Sequence, residues 1–130
     1  MPFDLVGLLD GPILNLPCNV TPHGRIDNLK EFYKRCTVVW RPVRHDGLSW
    51  MVLESLGHGR HVLWSYAFPG CIQVMDAAEA YAAITRLNFE HERGRLRINE
   101  EGARAIASRG YLPGLLRQEI HSKLETLLAT

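Results

Sequence analysis

The chain has 130 residues, 46% of them hydrophobic and 22% charged, with a formal net charge of +1. That suits one globular domain with a real core and no second one, and the near-neutral balance offers no basic field to a nucleic-acid backbone or an anionic membrane surface. Cys18, Cys36 and Cys71, odd in number and without a C-x-x-C pair, fit reduced core thiols better than a disulfide framework or a zinc site. No apolar run reaches the roughly 18 residues of a membrane span. The apolar start MPFDLVGLLDG carries Asp4 and Asp10 and lacks a basic n-region, so a soluble, cytoplasmic chain is expected, with a small molecule or another protein as partner.

In chain order, FDLVGLL (3–9) has the pattern of a strand, DGPILNLPCN (10–19) that of a loop, and Val20-Thr21 that of a short strand ahead of Pro22. Asp27 has the character of an N-cap. The helix after it puts Leu29, Phe32, Tyr33 and Cys36 on one face and Lys30, Glu31, Lys34 and Arg35 toward water. TVVWRP (37–42) is a strand closed by proline, LSWMVLESL a helix stopped by Gly57 and Gly59, HVLWSY (61–66) a strand, and CIQVM (71–75) a shorter one. DAAEAYAAITRLNFEHERGR is a capped helix with Ala80, Ile84, Leu87 and Phe89 available for packing, and helices over about 99–109 and 113–128 complete the chain. Strands alternating with helices imply crossover connections. The fold class expected is therefore α/β, a Rossmann-like, mostly parallel sheet holding strands 3–9, 37–41 and 61–66, with helices on both faces.

In such sheets ligands lie outside the carboxyl ends of the strands, which singles out residues 42–49. There Gly47 lets the backbone approach a ligand closely, and Ser49 can cap the following helix while amides at its start stay free for an anion. Glu54 interrupts an otherwise apolar helix formed by Trp50, Met51, Val52, Leu53 and Leu56. Either it lies on a narrow wet stripe, or it faces a ligand cleft and accepts hydrogen bonds from hydroxyls. Asp46, eight residues earlier, would bracket the same helix start. His58 and His61 lack a third ligand at useful spacing, so no metal site is expected. Ser49 beside Gly47 does not form a nucleophile elbow. Trp40, Trp50 and Trp64 read as core or cleft walls, and Arg41, Arg44 and Arg60 as solvated surface charges.

The segment from Arg41 to Gly70 resembles the signature region of retaining glycosyltransferases with the GT-B fold, the glycogen-synthase-like and group 1 enzymes. Their C-terminal nucleotide-sugar domain carries a Pro, then Glu-Gly-x-Gly, a second Glu eight positions after the first, Gly-x-Pro-Val and a glycine-rich turn. Here these positions hold Pro42, Asp46-Gly47-Leu48-Ser49, Glu54, Gly59-Arg60-His61-Val62 and Pro69-Gly70. The likeness extends over about residues 19–87. It implies that Glu54 holds ribose hydroxyls, Asp46 the donor-sugar hydroxyls, amides near Gly47, Leu48 and Ser49 the sugar or diphosphate, and that Gly24 and Arg25 border the base. Asp46 and Glu54 would then be the catalytic acids, with a nucleotide-diphosphate sugar as donor and no further cofactor. The first acid is Asp rather than Glu, the second motif glycine is Ser49, and the usual proline is His61. The family's diphosphate-gripping basic pair lies well upstream of the acid pair, and only 45 residues precede Asp46 here. The expectation is thus a single partial domain, completed by a separate acceptor-binding domain or by a homodimer. A non-catalytic nucleotide-binding or protein-interaction remnant is the alternative. A receiver-type signalling domain is disfavoured, because no acidic cluster follows the first strand.

Overall fold

The computed structural model describes residues 1–7, 15–110 and 129. They fall into two compact units, Met1–Phe32 and Tyr33–Thr130.

In the first unit β1 (Phe3–Val6) pairs in parallel with β2 (Val20–Gly24). The register runs Phe3 to Val20, Asp4 to Thr21, Leu5 to Pro22 and Val6 to Gly24, so His23 is left as an extra residue between ladder partners. The short strand foreseen at Val20-Thr21 continues through Pro22, whose missing N–H is tolerated in a strand that, among the described residues, is paired on one side only. His23 uses its displaced position to bond the Asp4 carboxylate at 2.6 Å and to meet the Phe32 ring edge-on at 5.0 Å between centroids. Helix α1 (Lys30–Arg35) carries the chain into the second unit. It starts later than the Asp27 cap implied: the Lys30 N–H bonds the Asn28 side chain at 3.0 Å, while Asp27 pairs with Arg25. The amphipathic assignment holds, with Tyr33 buried and Lys30, Glu31, Lys34 and Arg35 exposed.

The second unit contains β3 (Val38–Arg41), α2 (Trp50–Gly57), β4 (His61–Trp64), β5 (Cys71–Gln73), α3 (Ala77–Glu92) and α4 (Glu100–Ser108). The three strands form one parallel sheet with β4 in the centre. Successive strand residues point to opposite faces, and Val62 and Leu63 are both at 0% exposure, so β4 is covered on both sides. Leu63 packs with Val74 and with Ala80, Ala83, Ile84 and Leu87 of α3. The other side is taken by α2, which buries Val52, Leu53 and Leu56, each such side chain contributing about 1.5 to 3 kcal/mol. The α/β class with parallel strands and flanking helices is therefore as the alternation implies. The single sheet is not: among the described residues the ladders form two sheets, and β1 pairs with β2 rather than with β3 or β4.

Helix α3 begins where foreseen, with the Asp76 carboxylate accepting from the Glu79 N–H at 2.8 Å and Glu79 reaching back to the Met75 N–H at 2.7 Å. Phe89, expected in the core, is 47% exposed and lies under the Arg93 guanidinium instead. Trp50 and Trp40 likewise stand at 52% and 38% exposure, and only Trp64 is a core residue. Cys18 is exposed, not a core thiol, whereas Cys36 and Cys71 are partly buried. Burial and then the Glu101 charge push the Cys71 thiol up to about 12, which excludes it as a thiolate at neutral pH. The helix expected over 113–128 lies outside the described residues. None of the described helices is long and apolar enough to cross a membrane.

Candidate functional site

Strand β3 ends at Arg41, and residues 42–49 lead from its carboxyl end into α2, which Ser49 caps. Ser49 adopts extended backbone angles, is 7% exposed, and its hydroxyl accepts from the Val52 N–H at 3.5 Å. Helix geometry leaves the first amides of α2 without intrahelical acceptors. Beside them Leu48 is 52% exposed, and the space over Gly47 is open, since a Cβ there would meet nothing within 4 Å.

Asp46 is clasped by the protein itself. One carboxylate oxygen accepts from Arg41 Nε at 2.9 Å and from Trp64 Nε1 at 3.3 Å, and the side chain is only 12% exposed. The Asp46 N–H donates to the Tyr66 hydroxyl at 3.2 Å, which in turn donates to the Arg44 carbonyl at 3.3 Å. Ser65 donates to the Val43 carbonyl at 2.5 Å. The end of β4 thus holds the whole 43–46 loop. The sugar-holding role expected of Asp46 would have to share a carboxylate that already has protein donors.

The hydrogen bond from Arg41 holds the Asp46 carboxyl below the ordinary carboxylate range, helped by the Arg41 charge and the Trp64 and Gly47 N–H groups and opposed by burial. A depressed folded-state pKa contributes stability above the unfolded value of about 4 and loses it as pH falls through the folded value. Denaturant midpoints measured between neutral pH and strong acid are therefore expected to fall less steeply for Asp46→Asn than for the wild type. Parallel profiles would mean that the clasp contributes nothing.

Glu54 is half-buried on α2, next to a different set of groups. Its carbonyl lies 3.0 Å from the His58 backbone nitrogen and 2.9 Å from His58 Nδ1, and its carboxylate neighbours the buried Tyr33 phenol. Gly24 and Arg25 belong to the first unit. Gly24 closes β2 at a φ of +66°, and Arg25 is exposed and paired with Asp27 at 3.1 Å. Of the residues read from the sequence, then, Asp46, Gly47, Leu48 and Ser49 form one continuous loop into α2, Glu54 lies on the helix that follows, and Gly24 and Arg25 are described apart from them.

Sequence reasoning missed Tyr33 and Tyr66 as members of this surrounding, had Trp64 only as a core or cleft wall, and took Arg41 for a solvated charge, whereas it bonds Asp46. Aromatic residues at the end of the β4 pattern were the only signal for Tyr66. His61, by contrast, is occupied by the Arg97 carbonyl at 2.8 Å, and among the described residues no three His, Cys, Asp or Glu side chains come together to hold a metal.

The fold and the loop define an α/β domain with a parallel crossover that presents a capped helix start at a strand's carboxyl end. No protein-family model matches the chain, and comparison with curated proteins and with solved structures gives no match.

Proposed function

We propose that this chain binds a nucleotide-diphosphate sugar as the donor part of a retaining glycosyltransferase of the GT-B type. The observation that supports this best is the β3–α2–β4 crossover, in which an acid precedes the Ser49-capped start of α2 and a second follows within the helix at eight residues' distance. In this reading Glu54 accepts from the ribose hydroxyls. Asp46, already oriented by Arg41 and Trp64, uses its remaining lone pairs for a sugar hydroxyl. The diphosphate lies against the free amides of α2, where the helix start favours the negative charge that grows on the leaving group as the sugar becomes oxocarbenium-like. The acceptor wall would come from a separate domain or from a second copy of the chain.

A second reading, a non-catalytic nucleotide-binding or interaction module, draws on the same clasp: a carboxylate satisfied by Arg41 and Trp64 has less left for substrate. Titration with ribonucleoside 5′-diphosphates tests what the two readings share. Glu54→Ala is expected to weaken binding by about 1 to 3 kcal/mol, the range for hydrogen bonds to a charged group, with the circular dichroism spectrum unchanged. Equal affinities would remove Glu54 from the site. Incubation with nucleotide sugars and a mixture of acceptors then separates the two, because binding without sugar transfer or release leaves only the second.

A further inference from the structure

Tyr33 is 3% exposed, and its phenol oxygen, sealed from water, closes no hydrogen bond. Such groups are rare, because a buried donor that loses its water without gaining a partner is costly. Ring geometry fixes its position: the Tyr33 and His58 rings lie 5.4 Å apart between centroids, tilted by 41°. His58 is one turn beyond Glu54 on the same face of α2. The groups around the phenol include the Glu54 carboxylate and the Ser55 hydroxyl. Burial first and then the Glu54 charge push its pKa up, so it keeps its proton throughout the neutral range. The Ser55 hydroxyl donates its proton to the Met51 carbonyl at 2.5 Å, so toward the phenol it can only accept, as Glu54 can, and the carboxylate is the stronger, charge-assisted acceptor of the two. The pair stands close without a closed bond.

We infer that Tyr33 is a positioning residue for Glu54, a donor held ready that closes onto one carboxylate lone pair as a ligand orders the side chain, turning the others toward the two adjacent hydroxyls of a ribose. A glutamate has three side-chain torsions, and ordering them costs entropy each time a ligand binds. A rigid, buried phenol beside the carboxylate lowers that cost and selects one orientation, as supporting donors do around other polar sites. The inference rests on the nucleotide reading of the site.

Tyr33→Phe keeps the ring and its packing and removes only the hydroxyl. The full-length chain is titrated with each ribonucleoside 5′-diphosphate and its 2′-deoxy counterpart, alongside Glu54→Ala and the double variant. For Tyr33→Phe the thermal midpoint is expected to hold or rise, because an unmet buried hydroxyl is gone. Affinity for the ribonucleotide is expected to fall about five- to ten-fold, with the ribo-to-deoxyribo ratio moving toward one. The double variant should bind no more weakly than Glu54→Ala, since the two residues act as one unit. An unchanged affinity and ratio in Tyr33→Phe, with Glu54→Ala impaired, overturns this inference and leaves the nucleotide reading standing. A midpoint and affinity that fall together at an unchanged ratio assign Tyr33 a packing role and overturn it as well. A wild-type chain that binds no ribonucleoside diphosphate overturns both.

Discussion

Replacing Gly70 by alanine is expected to lower stability by about 3 kcal/mol or more. Gly70 adopts a φ of +81°, and a Cβ there would lie 2.3 Å from the Gly102 Cα and 2.5 Å from its nitrogen. Both obstacles are backbone atoms at the start of α4, and they cannot turn aside as the end of a flexible side chain could. Left-handed backbone costs a residue with a Cβ about 1 to 2 kcal/mol, and forced overpacking adds about 1 to 3 kcal/mol. Gly102 is itself closely packed, since a Cβ on it would in turn stand 2.5 Å from Cδ2 of the wholly buried Leu56. Urea unfolding checks this through a lower midpoint at unchanged slope. A midpoint within error of the wild type would show that the α4 start is free to move.

Asn99→Ala is expected to cost about 3 kcal/mol by a polar route. Asn99 is 8% exposed and joins three segments with one amide. Its oxygen accepts from the Gly102 N–H at 3.0 Å, capping α4. Its nitrogen donates to the Gly70 carbonyl at 2.7 Å and to the Arg60 carbonyl at 3.1 Å. Loss of the cap accounts for about 1 kcal/mol, and the two stranded carbonyls for about 1 kcal/mol each. Asn99→Asp separates the contributions: it keeps a capping oxygen but turns a carboxylate toward two carbonyl oxygens. It is expected to be no more stable than Asn99→Ala. Recovery to near wild-type stability in that variant would mean that only the cap matters.

Much of the second unit was legible before the structure. The β-branched run at Val38-Val39, the serine ahead of Trp50, the glycines that end α2 and the aspartate ahead of Ala77 all act within a few residues of themselves, so their consequences appear in local sequence. Elements misjudged along the chain failed for local reasons too. At the start of α1 the Asn28 side chain meets the first helical N–H in place of Asp27. Phe89 stands two positions after buried Leu87, a spacing that turns it away from the packed face of α3, and there the Arg93 guanidinium lies over its ring.

The candidate site was legible as a stretch of chain and not as a set of partners. Asp46 and Glu54 could be singled out because carboxylates are conspicuous in an apolar setting. Whether each faces ligand or protein depends on groups far away in sequence. Trp64, 18 residues from Asp46, is one, and Tyr33, on a different helix from Glu54, is another.

The sequence by itself determined the alternation of strands and helices, their approximate limits over Val38–Glu92, and the loop that leads into a capped helix. These rest on backbone propensities and caps of short range. Only the tertiary structure decided that the described strands divide between two sheets, that Asp46 is clasped by Arg41 and Trp64, that Tyr33 stands unmet beside Glu54, and that Asn99 ties α4 to two earlier turns. Each of those is a choice among several chemically equivalent partners. That choice is made by which surfaces the folded chain brings together and seals from water, a quantity that no short window of sequence contains.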